Sequence, residues 1–244
     1  MIMRRATIAE YDRLADKLTS IVAMMDYRFK NICVKAEEVS LLPVVAQIQG
    51  EQKNLEDCAT IAKDDEYHFS IFPTYDEDME DISLGIMSVH PEFKQERKTM
   101  TVSVPDKTGN ARDVDTKYIL LTMPEVDDDR YDVIKQAVDV EYNLCKEQME
   151  SVNMLAKGKF AALATGETEE NMKILKEEVD NLNNEWNAKR DDIYNAKLQQ
   201  IEDAHNKWLA EKAEVDQQRQ EQEAARGEEV TYSMRMGQQD EYSN

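Results

Sequence analysis

His68, His90 and His205, with Cys33, Cys58 and Cys145, are the residues best suited to metal or nucleophilic chemistry. The histidines stand far apart, and none has a metal-ligand neighbour at helical or hairpin spacing. Structural or surface roles are therefore expected for them, and no metal site is assigned. The acidic run D-E-D-M-E-D at Asp76 to Asp81 lacks the glycine and ligand alternation of a calcium loop, and reads as a solvated helix start. Cys145 falls on an apolar helix seam and reads as core. No glycine-rich phosphate loop, G-x-S-x-G or H-E-x-x-H is present. Neither catalysis, a cofactor nor a small-molecule substrate is expected. Lys146, Lys157 and Lys159 form, by default, a solvated cationic group.

Composition narrows the partners. The 244 residues carry a formal net charge of -21, with 33% charged and 41% hydrophobic residues. Such a chain is repelled by phosphate backbones and anionic membranes unless its basic residues gather on one face. With 7 Gly and 5 Pro, long helices are favoured over a loop-rich fold. Three distant cysteines argue against a disulfide framework. The N-terminal arginines are followed by no apolar signal core, and no window reaches the ~18–20 apolar residues of a membrane span. A cytoplasmic protein is expected.

Periodicity separates the chain into parts. From about Thr7 to Glu38, Ile8, Tyr11, Leu14, Leu18, Ile21, Met25, Phe29 and Ile32 make one helical seam, with Thr7 and Glu10 at capping-box spacing. From Ser40 to Met123 the pattern turns to alternation. It predicts strands at Val44–Ile48, Tyr67–Ile71, Met100–Val104 and Tyr118–Thr122, and a turn at Lys107–Asn110. Short helices are predicted at Leu55–Ala62 and Glu77–Val89. Pro124 and Asp127–Asp129 then open a second long helix, whose seam is Tyr131, Ile134, Val138, Tyr142, Cys145, Met149, Val152 and Ala156. After a turn near Thr165–Gly166, Thr168 caps a third helix carrying Met172, Leu175, Val179, Leu182, Trp186, Ile193, Ile201, Ala204 and Trp208.

Three helices with one apolar seam each are satisfied by an antiparallel bundle. The expected class is thus α+β: a three-helix bundle (1–39 and 124–212), a small α+β domain inserted at 40–123, and a polar, flexible tail at 213–244. The paired linkers, with Ser40, Pro43 and Pro124, form a hinge.

That order resembles the ribosome recycling factor family. Ser40, Leu41 and Leu42 lead to Gly50 as the family's S-L-L segment leads to its glycine. Leu55, Ala59 and Ile61, the His68–Tyr75 strand and the Met79–Val89 helix follow in the family's order. Pro124 to Val133 is similar to the P-L-T-E-E-R-R-K-D-L entry to the second helix, with Pro124, Arg130, Asp132 and Lys135 on matching residues. The resemblance spans roughly Thr7 to Leu209. It implies a protein that binds the ribosome without catalysis and works with elongation factor G to split post-termination complexes. Arg130 and Lys135 would be RNA contacts.

The family's RNA-gripping arginines in the middle of the second helix are replaced, on the same gapless register, by Met149, Val152 and Asn153. Lys146, Lys157 and Lys159 would compensate as point charges without a guanidinium fork. The competing expectation is a divergent paralogue that has lost recycling. It would act as an acidic interaction or regulatory module on a basic protein partner or on itself.

Overall fold

A computed structural model describes residues 3–105 and 111–241, with side chains up to Arg226. The predicted Lys107–Asn110 turn lies within 106–110, outside the described residues. Helix α1 spans Arg5–Asn31, followed by a 3-10 turn at Glu38–Leu41. Strands β1 (Val45–Ile48) and β2 (Glu51–Asn54) form a hairpin, and α2 is a single turn at Leu55–Cys58. Then come β3 (Ala59–Lys63), β4 (His68–Pro73), α3 (Met79–Val89), β5 (Lys94–Pro105) and β6 (Ala111–Thr122). Helices α4 (Asp128–Leu163) and α5 (Glu169–Glu241) complete the chain. The fold is α+β, an antiparallel three-helix bundle with a small β-rich domain between its first two long helices. Among the described residues no helix is long and apolar enough to cross a membrane.

The bundle forms largely along the predicted seams, except that Ile8 is 42% exposed and the unpredicted Val22 and Phe160 are buried. Leu14, Leu18, Val22, Met25 and Phe29 of α1 meet Ile134, Val138, Cys145, Met149, Ala156 and Phe160 of α4, with Leu175 and Ile201 of α5. Polar pairs set the register: Arg28 with Glu141 at 2.7 Å, Tyr142 Oη to Asp191 at 2.8 Å and Tyr194 Oη to Asp139 at 2.6 Å. Asp127 caps α4 by accepting from the Arg130 amide at 2.8 Å. Thr168 Oγ1 accepts from the Asn171 amide at 3.2 Å, as expected of a helix cap. Removing that cap by Thr168→Ala is expected to cost about 1 kcal/mol, read from the denaturation midpoint.

The start of α1 differs from expectation. Arg4 occupies the cap position with no side-chain bond. Thr7 Oγ1 instead donates to Glu167 at 2.6 Å, and Glu10 pairs with Lys159 at 2.8 Å. Partners on the α4–α5 turn displace the local capping box. The helix also stops at Asn31, short of Glu38, because the following segment serves two cores. Cys33 and Ala36 enter the insert's core while Val34 enters the bundle's. Only extended chain sends successive side chains to opposite sides. The return linker divides likewise: Met123 faces the insert and Val126 the bundle.

In the insert the sheet order is β3-β4-β6-β5, all antiparallel. Two elements differ from the sequence reading. The β1–β2 turn uses Gln49 (φ 53) and Gly50 (φ 84), the positive-φ pair of a tight hairpin, so β2 follows at once. The predicted Leu55–Ala62 helix is one turn, after which Ala59–Lys63 pairs with β4. Strands β5 and β6 are also longer than predicted, and their outer halves form an exposed two-stranded arm.

Candidate functional site

Lys157 and Lys159 stand on the last turns of α4, where charge segregates. From Asp128 to Glu150 that helix carries seven acidic residues and three basic ones; from Ser151 to Leu163 it carries only the two lysines. The antiparallel register brings this stretch beside Arg4, Arg5 and Arg13 at the start of α1. Glu10 lies beneath, 7% exposed, held by Lys159 at 2.8 Å and Arg13 at 2.5 Å. Burial alone would raise its carboxyl pKa, but the two cations outweigh burial and hold it below the usual range. Glu167, in the turn, accepts from the Arg4 amide at 2.9 Å, from Thr7 and from Asn171 at 2.9 Å, and its pKa is lowered too. The end of the bundle remote from the insert therefore gathers five cations around two bonded carboxylates, Glu10 and Glu167, with Glu169 and Glu170 of the first α5 turn exposed beside them. Arg5 and Lys157 are exposed there.

The other predicted contacts do not join this tip. Arg130 and Lys159 are separated by roughly 43 Å of helix. Lys135 lies 5.4 Å from the Tyr131 ring centre, and Lys146 is exposed near Asp191, whose pKa it helps to lower. Arg130 is at the junction of the two domains. Its Nη1 donates to the Pro124 carbonyl and its Nη2 to the Cys33 carbonyl at 2.6 Å. Met149 is buried in the bundle and receives the Cys145 thiol at 4.0 Å, and Val152 packs beside it. Arginines at those two places would point into the bundle core.

The residues read as a hinge sit in a bonded region. Ser40 is buried; its hydroxyl donates to the Glu37 carbonyl at 2.7 Å, and its own carbonyl accepts from His90 Nε2 at 2.7 Å. Pro43 follows the 3-10 turn, and Pro124 is tied by Arg130. Burial opposes charge on His90, but bonds to Cys33, Glu92 and the Ser40 carbonyl prevail and raise its pKa to about 10. Sequence periodicity missed two cations on α5. Arg190 fills the Tyr142–Asp191 network, and Lys197 donates to the Ile32 carbonyl at 2.8 Å while burial lowers its pKa to about 8. Further along α5, Lys207 reaches the insert, pairing with Glu66 at 2.9 Å. Both helix faces would have revealed these residues only if their partners had been known.

No protein-family model matches the sequence, and no curated protein matches it. Among solved structures, the solution structure of the ribosome recycling factor is similar to this chain, with a TM-score of 0.63 at 13% identity over 82% of this chain and 100% of that one. A second similar structure comes from models of the T. thermophilus ribosome recycling factor and the E. coli elongation factor G bound to the E. coli post-termination complex. There the TM-score is 0.49 at 16% identity, covering 80% of this chain and 98% of that one. The first likeness shows that this chain has the ribosome recycling factor fold.

Proposed function

We propose that the protein is a non-catalytic, recycling-factor-like translation factor of the cytoplasm that binds the ribosome and assists disassembly of post-termination complexes, with elongation factor G as its companion. The carrying observation is the correspondence of fold along the whole ribosome recycling factor chain, bundle and insert together. The cation-rich tip supports it, since RNA binding by so acidic a chain needs its cations gathered. On this reading Arg5, Lys157 and Lys159 meet phosphate, with Lys135 and Lys146 farther along α4. The bundle (1–39 and 124–212) and the insert (40–123) act as two bodies joined at Ser40, Pro43 and Pro124. Residues 213–244 form a polar extension.

Sedimentation with ribosomes at low and moderate salt tests this. The wild type is expected to pellet with ribosomes, less so as salt rises. Arg5→Glu with Lys157→Glu is expected to weaken association by about a hundredfold or more, at ~1.5–3 kcal/mol per charged hydrogen bond. Absence from the ribosomal pellet at both salt concentrations would sink the proposal.

One observation favours the alternative, an acidic interaction module: the charge balance of α4 between Asp128 and Glu150. That reading predicts that the tip variant associates as the wild type does, and that a pull-down recovers a basic protein without ribosomal particles.

A further inference from the structure

Cys33, His90 and Glu92 come together where the chain leaves the bundle. Cys33 belongs to the first linker; His90 and Glu92 follow α3 in the insert. One ligand-type atom from each lies within 4.8 Å of the others. Cys33 Sγ is 4.0 Å from His90 Nδ1, which is 3.2 Å from Glu92 Oε1. In a tetrahedral zinc site, bonds of about 2.3 Å to sulfur and about 2.0–2.1 Å to nitrogen and oxygen put neighbouring ligand atoms roughly 3.3–3.6 Å apart. Both distances are within about half an ångström of that spacing.

A second observation concerns the ring. His90 Nε2 donates to the Ser40 carbonyl at 2.7 Å, and the ring stacks on Phe93 at 4.5 Å with 5° between planes. This directs Nδ1 at the thiol and the carboxylate. Metal-bound histidines are held in the same way, the remote N–H on a backbone carbonyl fixing tautomer and orientation. Cys33 and His90 are 4% and 3% exposed, while the Glu92 side chain is 39% exposed. The cluster is thus dry on two sides and open at the carboxylate, which leaves an entry path.

We propose that Cys33, His90 and Glu92 bind a zinc-type divalent cation that clamps the first linker to the inserted domain. The thiolate and imidazole select zinc over magnesium or calcium, which take oxygen ligands. Binding expels the Sγ and Nδ1 protons and changes no oxidation state. Thiolate and carboxylate neutralise the cation, and the nearby Arg130 guanidinium is the opposing charge. Because Arg130 Nη2 holds the Cys33 carbonyl at 2.6 Å, the ion would also couple α4 to the insert and fix the angle between the domains. This site stands whether or not the protein binds ribosomes.

Cobalt titration of the full-length, chelator-stripped protein provides the test. A single equivalent is expected to give tetrahedral d–d bands and a thiolate-to-cobalt charge-transfer band, both removed by added zinc. Cys33→Ser is expected to abolish the charge-transfer band. Glu92→Gln, at the half-exposed side of the cluster, is expected to weaken cobalt binding at least tenfold with unaltered far-ultraviolet circular dichroism. Cys58→Ser and Cys145→Ser are expected to behave as wild type. A wild type without the charge-transfer band, a Cys33→Ser variant that keeps it, or a Glu92→Gln variant binding as tightly as wild type would each overturn the proposal.

Discussion

Gly85→Val is expected to unfold the inserted domain or to destabilise it by roughly 3 kcal/mol or more, and Gly85→Ala by ~1–3 kcal/mol. Gly85 is where α3 crosses β1. A Cβ there would stand 2.6 Å from the Val45 carbonyl oxygen, 3.1 Å from its carbon and 3.2 Å from Ala46 Cα. All three are backbone atoms, so no side chain can swing aside. Helix α3 would have to lift from the hairpin, loosening Ile82 and Ile86 from Ala46 and Ile48. Alanine's better helix propensity returns at most ~1 kcal/mol. Chemical denaturation followed by far-ultraviolet circular dichroism reads the loss. The only tryptophans, Trp186 and Trp208, are on α5, so their fluorescence follows the bundle separately. An unchanged midpoint for Gly85→Ala would show that α3 and β1 part without cost.

Arg130→Gln is expected to lower stability by ~2–4 kcal/mol. The variant leaves the Pro124 and Cys33 carbonyls without their shared donor and unties the two linkers from each other. Burial lowers the arginine's pKa, with Glu92, Cys33 and Asp127 opposing that shift, so the charge belongs to a partly buried network. Arg130→Lys is expected to recover less than half of the loss, because an ammonium lacks the fork that reaches both carbonyls. Measured where the variant remains folded, ribosome association distinguishes the roles. Unchanged binding with lost stability marks Arg130 as a junction residue; lost binding with stability within ~0.5 kcal/mol of wild type would return it to the RNA surface.

These two residues illustrate what local pattern can carry. The α4 seam was legible from Tyr131 to Ala156, short only of Phe160, because a 3.6-residue period needs no knowledge of the partner. The cap at Thr168 was legible for the same reason: donor and acceptor are three residues apart. Thr7 and Glu10 had the same spacing, yet Glu167 and Lys159 took them, since a bond to another element competes equally with a local one. The Leu55–Ala62 segment read as helix because its apolar spacing suits one; pairing of Ala59–Lys63 with β4 decided otherwise. Arg130 and Gly85 each look ordinary in sequence, and their importance comes from carbonyls that the fold brings to them.

The amino-acid sequence by itself determined three helical seams, an alternating block between the first two, and a composition hostile to nucleic acid. Together these specify an α+β protein with an inserted domain, since short-range periodicity dictates which faces must be buried. Tertiary structure alone decided how the charges are shared. It gathered Arg5, Lys157 and Lys159 into a cation-rich tip from residues more than 150 positions apart in the chain. It sent Arg130 to the junction, and it brought Cys33 against His90 and Glu92. Electrostatic and ligand geometry depend on distance in space, and chain separation does not encode that distance until the helices have packed.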